Sequence, residues 1–340
     1  MKKIKILVAV VLGVVLYSAC SNDIDLVAEW KDIPIVYGLI SKSDTANYIR
    51  IEKAFLDNDK SALDIAQIPD SLYYDNITVQ IKGAGNTYNL YRVDGNLEGF
   101  PREEGIFANA PNFLYKLKLP VGEELVGGEE YTLEINRGDD LPLVTSSAIM
   151  LDDLNIIRPS TNPDDASPVN WSNVFTVQWR ATPEAKLFDT KLFLHIKEED
   201  VTNPDNNRDL VLEWKLLENE PQVLNSTGTT VSMEVRVQGS ELYQFLANRL
   251  EVKSNVAREF VGVDVLVIGA GVELTDYINA GNANQGITST QIIPNYTNLS
   301  EGRGIFSSRN SILHEGYQIT SETVDSLQNN PLTRDFNFQN

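Results

Sequence analysis

The chain has very little cysteine and histidine: its 340 residues include one cysteine, Cys20, and two histidines, His195 and His314. A single cysteine excludes an intrachain disulfide, so the fold has to be stabilised by its apolar core. A metal site built from histidine and cysteine needs clustered ligands, and neither histidine has a second ligand near it in the sequence. Both histidines lie in alternating segments, and we predict that they are structural.

The chain is also poor in positive charge. It has 28 lysines and arginines against 48 aspartates and glutamates, which gives a formal net charge of −20 at pH 7. Binding to nucleic acid depends on clustered lysine and arginine facing the phosphates, so this composition excludes a nucleic-acid partner. The acidic residues are scattered rather than run together, which is typical of a solvated surface.

The N-terminus carries a targeting pattern. Three lysines lie within the first five residues, an apolar stretch covers 6–17, and Ser18 and Ala19 lead into Cys20. The apolar stretch is shorter than the ~20 residues that span a bilayer, and the whole pattern is typical of a secretory signal. It resembles the bacterial lipoprotein signal, in which the cysteine is lipidated and becomes the new N-terminus. We therefore predict a signal peptide over 1–19, an acyl anchor on Cys20, and no other cofactor or metal.

The residues after Cys20 resemble a second targeting signal. Ser21, Asn22, Asp23, Ile24 and Asp25 resemble the short acidic export tag that sends lipoproteins of Bacteroidota to the outer face of the outer membrane. The alternative interpretation is an ordinary polar tether. We predict a tether over 20–32 and a protein that is anchored in the outer membrane by lipid and faces the cell exterior.

The rest of the chain is predicted to be mostly β. Short segments rich in β-branched and aromatic residues alternate with turn signals, as in 77–82, the Gly-rich turn at 83–86, and 87–93. The pattern favours two immunoglobulin- or fibronectin-like sandwiches rather than βαβ units. A proline-rich, acidic stretch marks a boundary. We predict an N-terminal sandwich over 33–157, a linker over 158–170, a second sandwich-like domain over 171–327 and a frayed polar tail over 328–340.

One or two short helices are expected in the second half. The clearest covers 240–250, where Ser240 is a candidate N-cap and Leu242, Phe245, Leu246 and Leu250 share one face. Such a stripe indicates core packing rather than a ligand groove. A second candidate helix covers 274–280.

Motifs for catalysis or metal binding are weak. The stretch 265–274 imitates a dinucleotide fingerprint, but Leu274 stands at the third glycine position and no βαβ unit is predicted. The stretch 57–68 begins like a calcium loop and then departs from the pattern. The pairs Asp152–Asp153 and Asp164–Asp165 are candidate calcium ligands, although exposed acid pairs usually bind only water. A carboxylate pair for glycoside hydrolysis stays open, because its spacing is three-dimensional.

Three short motifs indicate modification. Thr45, Ser71 and Ser326 each follow an aspartate and precede an apolar residue, which matches the O-glycosylation pattern of exported Bacteroidota proteins. All three are predicted to lie in turns or loops, where a bulky glycan fits.

Several stretches together resemble an uncharacterised lipoprotein family of Bacteroidota, a domain of unknown function. They are the lipidated start, the first strand over 33–40, Gly105-Ile106-Phe107, the stretch 179–198, and the Gly-rich stretch 298–306. Genes of this kind often lie near TonB-dependent receptors, so the resemblance implies an outer-membrane β-barrel partner. It implies no catalytic residues.

These observations predict a surface lipoprotein that acts as a non-enzymatic accessory or binding subunit of an outer-membrane complex, whose partner is a TonB-dependent receptor or another barrel. One alternative is a glycan-binding lipoprotein with Tyr73, Tyr74, Trp171 and Tyr296 as candidate contacts. Others are a hydrolase with an unrecognised carboxylate pair, and a structural subunit of envelope assembly or secretion machinery.

Overall fold

The computed structural model describes residues 32–54, 61–138, 140–160, 169–171, 174–224, 232–283 and 296–339. The chain is mostly β, with a large multi-stranded sheet, a smaller sheet and a few short helices, which confirms the predicted fold class. In the described part, no helix is long and apolar enough to cross a membrane.

The strands are β1 (Pro34–Ile40), β2 (Asn47–Lys53), β3 (Thr78–Gly83), β4 (Asn86–Asp94), β5 (Phe113–Leu117), β6 (Glu130–Asn136), β7 (Val144–Ile149), β8 (Asn155–Arg158), β9 (Val174–Arg180), β10 (Leu187–Asp200), β11 (Arg208–Pro221), β12 (Ser232–Gln238), β13 (Val256–Ala270), β14 (Arg303–Tyr317) and β15 (Phe338–Gln339). The helices are α1 (Ala62–Ala66), α2 (Pro69–Leu72), α3 (Gly239–Arg249), α4 (Val272–Ala283) and α5 (Ser321–Asn329). Two 3-10 turns lie at Pro204–Asn206 and Arg334–Phe336.

The hairpin between β3 and β4 forms where its turn chemistry predicts it. Gly83 pairs with Asn86, and the two residues between them, Ala84 and Gly85, have φ of +48° and +76°. Positive φ at both central positions belongs to the turn type whose twist matches that of two antiparallel strands. The local sequence therefore determines this hairpin and its register.

The large sheet joins the two halves of the chain. Its strand order is β11-β10-β13-β14-β1-β2-β5-β4-β3-β6-β7, with β15 added beside β13. The first strand, β1, pairs in parallel with β14, with Ile35 opposite Arg303 and Ile40 opposite Ser308. We call this pairing the β1–β14 joint. The predicted domain bounds stay a prediction, but one continuous sheet runs through both predicted domains.

One apolar core belongs to the first half. Strands β1 to β7 contribute most of it, together with Phe306 of β14 and Leu299, which precedes β14. The sheet curls around this core, so that β7 lies close to β14. Ser308 Oγ donates to Ile149 O at 2.5 Å, and Ser146 Oγ donates to Asn298 O at 2.9 Å. The alternation of β1 and β2 is what turns one face of each strand toward this core.

A second apolar core fills the other half. The small sheet, with strand order β12-β9-β8, contributes Trp179 and Met233, and the large sheet contributes Phe188 and Val265. Two sheets that share one core make a sandwich, as expected for this half. Strand β8 begins within the range predicted for the first domain and ends at the first residue of the predicted linker, yet it pairs with β9 of the second half.

The predicted helix at 240–250 is confirmed as α3, with a different cap. Its N-cap is Gln238 rather than Ser240, and the backbone N–H of Gln238 donates to Glu241 Oε2 at 2.6 Å. Leu242, Leu246 and Leu250 are buried in the second core, which confirms core packing. The second half contains three helices in its described residues, one more than expected, because α5 was not predicted.

The polar tail predicted to be frayed over 328–340 is packed over 328–339, the part that the structure describes, so that prediction was wrong. Strand β15 pairs in parallel with β13, and Phe336 and Phe338 are each only 4% exposed. Asn337 adopts a left-handed φ of +58°, and its side chain donates to Val256 O at 2.9 Å. The two phenylalanines supply the apolar area that holds this segment down.

The dinucleotide-like stretch is a strand and its turn into a helix. Strand β13 ends at Ala270 and α4 begins at Val272. The next strand, β14, runs antiparallel to β13, whereas a dinucleotide-binding unit requires parallel strands around the helix. The stretch is therefore not a dinucleotide-binding motif.

Candidate functional site

A cleft lies over β14, β1, β2 and β5, on the face of the sheet opposite the first core. Alternation along β1 sends Val36 and Ile40 into the core and leaves Tyr37 on the cleft face. In β2 the same rule buries Ile49 and Ile51 and places Tyr48, Arg50 and Glu52 on the cleft face. The cleft has two lobes, which share Tyr37 and Arg50.

The first lobe, which we call the aromatic lobe, has a volume of about 550 Å³. It is lined by Tyr37, Tyr48, Phe100, Leu114, Leu274 and Tyr277, with Arg309 and Asp44 at its edge. The ring centroids of Tyr48 and Phe100 are 4.7 Å apart, and those of Tyr37 and Tyr277 are 6.5 Å apart and nearly perpendicular. Arg309 Nη2 and Asp44 Oδ2 form an ion pair at 2.9 Å. The lobe has the apolar, aromatic lining and the size of a small-molecule site.

The second lobe, which we call the charged lobe, has a volume of about 650 Å³. Apolar groups of Ile35, Leu72 and Phe107 line it beside five charged residues, Arg50, Glu52, Lys53, Arg102 and Glu103. The guanidinium of Arg102 lies over the ring of Phe107, 5.2 Å from its centroid. This lobe therefore combines an apolar lining with a concentrated set of charges.

The loop between β4 and β5 forms one wall of both lobes, and asparagines hold it. Asn112, fully buried, donates through Nδ2 to Phe100 O at 2.8 Å. Asn96 donates to Asn109 O at 2.9 Å and accepts from the backbone N–H of Arg102 at 3.2 Å. Asparagine side chains that bond to nearby backbone groups stabilise turns in place of regular structure. They position Phe100 and Arg102 over the sheet.

Arg50, Glu52 and Arg102 form a charge cluster at the meeting point of the lobes. Glu52 Oε1 accepts from Arg50 Nη1 at 3.2 Å and also forms an ion pair with Arg102 Nη2. Arg50 Nη1 also donates to Asn112 Oδ1 at 2.8 Å. The side chains of Arg102 and Glu52 are 10% and 11% exposed. Two guanidinium groups thus share one carboxylate in a site that is largely shielded from water.

A second charged group lies at the side of the aromatic lobe. Glu98 Oε2 pairs with Lys116 Nζ and accepts from the hydroxyl of Tyr48 at 2.8 Å. The hydrogen bonds from Lys116 and Tyr48 hold the pKa of Glu98 below its usual value. Burial, followed by the hydrogen bond with Tyr277, raises the pKa of Tyr37. Burial also raises the pKa of Tyr48, so Tyr37 and Tyr48 are neutral hydrogen-bonding groups at neutral pH.

The targeting residues predicted from the sequence, Cys20 and Ser21, Asn22, Asp23, Ile24 and Asp25, lie outside the described residues. Of the three modification candidates, Thr45 is exposed in a loop, as predicted. Ser71 lies in α2 and Ser326 in α5, so their prediction as loop residues was wrong. Ser326 Oγ also donates to Glu322 O at 2.7 Å, which occupies its hydroxyl.

The four aromatic residues proposed for glycan contact do not form a platform. Tyr73, Tyr74 and Trp171 are 5%, 8% and 0% exposed, and Tyr296 is half-buried. Trp171 packs against Phe175, with ring centroids 4.6 Å apart. Core packing explains Tyr73, Tyr74 and Trp171, and three exposed aromatic residues, Tyr37, Phe100 and Phe107, lie in the cleft instead.

The histidines and acid pairs have structural partners. His195 Nε2 lies 2.6 Å from Asp264 Oδ2, and His314 stacks on Tyr317. Lys42 pairs with Asp152 at 3.2 Å and with Asp153 at 2.7 Å, so an intrinsic cation already occupies that candidate calcium pair. Asp164 and Asp165, and the stretch 55–60, lie outside the described residues. Within the described ranges, no group of three or more His, Cys, Asp or Glu side chains could hold a metal ion.

Sequence reasoning did not single out the cleft residues. One signal was present: in Tyr48-Ile49-Arg50-Ile51-Glu52 the isoleucines occupy one face of the strand and the tyrosine, arginine and glutamate the other. Such alternation predicts a polar face but not what covers it. The covering loop and α4 come from distant parts of the chain.

Comparison with known proteins adds no relative: no protein-family model matches the chain, and no curated protein matches it.

Proposed function

We propose that this chain is a lipid-anchored outer-membrane lipoprotein that acts as a non-enzymatic binding subunit of an outer-membrane complex. Its partner is a β-barrel such as a TonB-dependent receptor. In this proposal Cys20 holds the protein at the membrane, and the cleft captures the ligand that the complex handles. The acidic residues that follow Cys20 resemble a surface-export tag, and for this reason we place the protein on the outer surface of the cell.

The observation that carries the proposal is the two-lobed cleft. Each lobe has the volume of a ligand site, about 550 and 650 Å³, and apolar and aromatic side chains line both with a few placed charges. The floor of the cleft is the β1–β14 joint and its neighbours, so it rests on the interior of a sheet rather than on a flexible edge. Rigid elements hold binding groups in place better than loops do.

The test is a pull-down of the tagged lipoprotein from native outer membranes in mild detergent, followed by mass spectrometry. We expect one β-barrel protein to co-purify in stoichiometric amount. A TonB-dependent receptor would indicate ligand uptake, and an assembly or secretion barrel would indicate the structural alternative. If the protein comes down alone under conditions that preserve known barrel complexes, the subunit proposal is wrong.

The anchor has its own test, Cys20→Ala. Because the proposed acyl chains attach to the cysteine sulfur and its freed amine, we expect the variant to lose the lipid mass and to leave the outer-membrane fraction. Intact-mass spectrometry and fractionation measure both effects. Ser21→Ala is the matched control, and it should retain the lipid. A Cys20→Ala protein that fractionates like the unaltered chain would contradict the predicted anchor.

A further inference from the structure

We propose that the cleft binds a ligand in which an apolar body of aromatic size is joined to a carboxylate, and that Arg102, supported by Arg50, recognises the carboxylate. This inference rests on the proposed binding function and adds the chemical class of the ligand.

The charge balance of the Arg50–Glu52–Arg102 cluster points to an anion. The cluster contains two positive charges and one negative charge, and its members are 26%, 11% and 10% exposed. A charge that is withdrawn from water is costly unless a counter-charge accompanies it. Glu103 lines the same lobe, but its side chain is exposed, and no ion pair joins it to Arg102 among the described residues. A ligand carboxylate would supply the missing negative charge.

The hydrogen bonds of Arg102 point the same way. Its Nη2 is engaged with Glu52, while its Nη1 is buried and has no hydrogen-bond partner within the described part of the chain. A guanidinium binds a carboxylate best through two parallel N–H groups, so the unused nitrogen is a donor for which the protein provides no acceptor. The chain as a whole carries a charge of −20, and this excess of positive charge is therefore a local exception on an acidic protein.

The aromatic lobe defines the other end of the ligand. Arg50 and Tyr37 belong to both lobes, so one molecule can contact the cluster and the aromatic residues together. Tyr37 and Phe100 are 45% and 51% exposed, and an apolar group placed between them would bury this surface. The perpendicular arrangement of Tyr37 and Tyr277 provides walls on two sides rather than a flat platform, which suits a compact ring more than a sugar face.

Two sources share this chemistry: the C-terminus of a peptide that ends in an aromatic residue, and a free aromatic acid. The probes are therefore acetyl-Phe-Phe with a free carboxylate, the same dipeptide as its C-terminal amide, and 3-phenylpropanoate. Calorimetric titration uses the full chain in lipid nanodiscs. We expect the free acid to bind at least about tenfold more tightly than the amide, because a charge-assisted hydrogen bond is stronger than a neutral one.

Variants give changes of opposite sign. Arg102→Gln should lower the affinity for the acid to that for the amide, and Glu52→Gln should raise the affinity for the acid several-fold, because it removes the competing carboxylate. Tyr277→Ala should lower the affinity for the acid and for the amide by the same factor. Arg208→Gln is the matched control, since this half-exposed arginine pairs with Glu198 at the other end of the sheet. An unfolded variant cannot mimic this pattern, since Glu52→Gln has to improve binding.

Phenylpropanoate that binds as tightly as the peptide acid would support the inference and identify a free acid as the ligand class; binding of the peptide acid alone would support it and identify a peptide terminus. Equal affinity for acid and amide, no binding of either, or an acid preference that survives Arg102→Gln would overturn it. These results are independent of the pull-down, because a barrel can co-purify whether or not the cleft prefers acids.

Discussion

Gly304→Ala is expected to destabilise the protein by at least about 3 kcal/mol and to open the β1–β14 joint. Gly304 has φ of +106°, a backbone conformation that residues with a Cβ rarely adopt, and an added Cβ would overlap the carbonyl oxygen of Val36 on the neighbouring strand. Backbone strain and overpacking each cost about 1–3 kcal/mol. Here the atom that is struck belongs to the backbone and cannot rotate away.

Urea unfolding measures the loss of stability, and hydrogen exchange of the amides in β1 and β14 locates it. Gly316→Ala is the matched control on the same strand, because Gly316 also has a positive φ, +78°, but no heavy atom lies within 4 Å of an added Cβ. It should cost only the strain, about 1–2 kcal/mol. Equal losses in the two variants would contradict the close approach at the joint.

The joint explains why the Gly-rich stretch 298–306 stands out in the sequence. Asn298 bonds to both backbone groups of Phe306, accepting from its N–H at 3.0 Å and donating to its carbonyl at 2.6 Å. Gly302, with φ of +121°, passes close to Pro34 O in the same way that Gly304 passes Val36. The stretch therefore has a structural role: it allows β14 to pair closely with β1, and the paired strands form part of the floor of the cleft.

Arg258→Met is expected to cost about 3–5 kcal/mol, because it leaves a buried carboxylate without its main partner. The side chain of Arg258 is fully buried and that of Glu198 is 4% exposed. Arg258 donates to Glu198 Oε1 at 2.9 Å through Nε, and to the carbonyl oxygens of Phe336 and Glu251 at 2.8 and 2.9 Å. The arginine thus ties β10 and β13 to the C-terminal segment.

Thermal and urea unfolding measure this effect. Arg208→Met removes a guanidinium from the same carboxylate, but this arginine is half-exposed, and the loss should be about 1 kcal/mol or less. The double variant Arg258→Met with Glu198→Leu should recover part of the stability, since no charge is then left unpaired in the interior. Arg258→Met that costs no more than Arg208→Met would contradict the role assigned to the buried pair.

The same pair predicts the response to acid. Burial by itself raises the pKa of Glu198, but hydrogen bonds from Arg258 and Arg208 outweigh burial and hold it below its ordinary value of 4.5. A pKa that is lower in the folded state means that the carboxylate stabilises the fold fully above pH 4.5 and loses this contribution as the pH falls below that value. The unfolding temperature should therefore fall on acidification in the unaltered protein and fall less steeply in Arg258→Met.

Local patterns were sufficient for much of the secondary structure. Residues that are close in the sequence determine three elements, which were therefore predictable: the alternating strand β2, the turn between β3 and β4, and the helix α3 with its leucine stripe. The tail was not, because Phe336 and Phe338 stand among polar residues and become buried only against β13. The prediction that Ser71 and Ser326 lie in loops was wrong for a related reason, since both segments form short helices.

The sequence by itself determined the mostly β character, the acidic surface, the absence of intrachain disulfides and the predicted address at Cys20, because composition and short-range periodicity carry these properties. Only the tertiary structure decided the β1–β14 joint and the cleft over it. Asp44 and Arg309, which form an ion pair at the edge of that cleft, are 265 residues apart in the sequence. No local pattern encodes such a meeting: it follows from which strands pair and from which side chains then share a face.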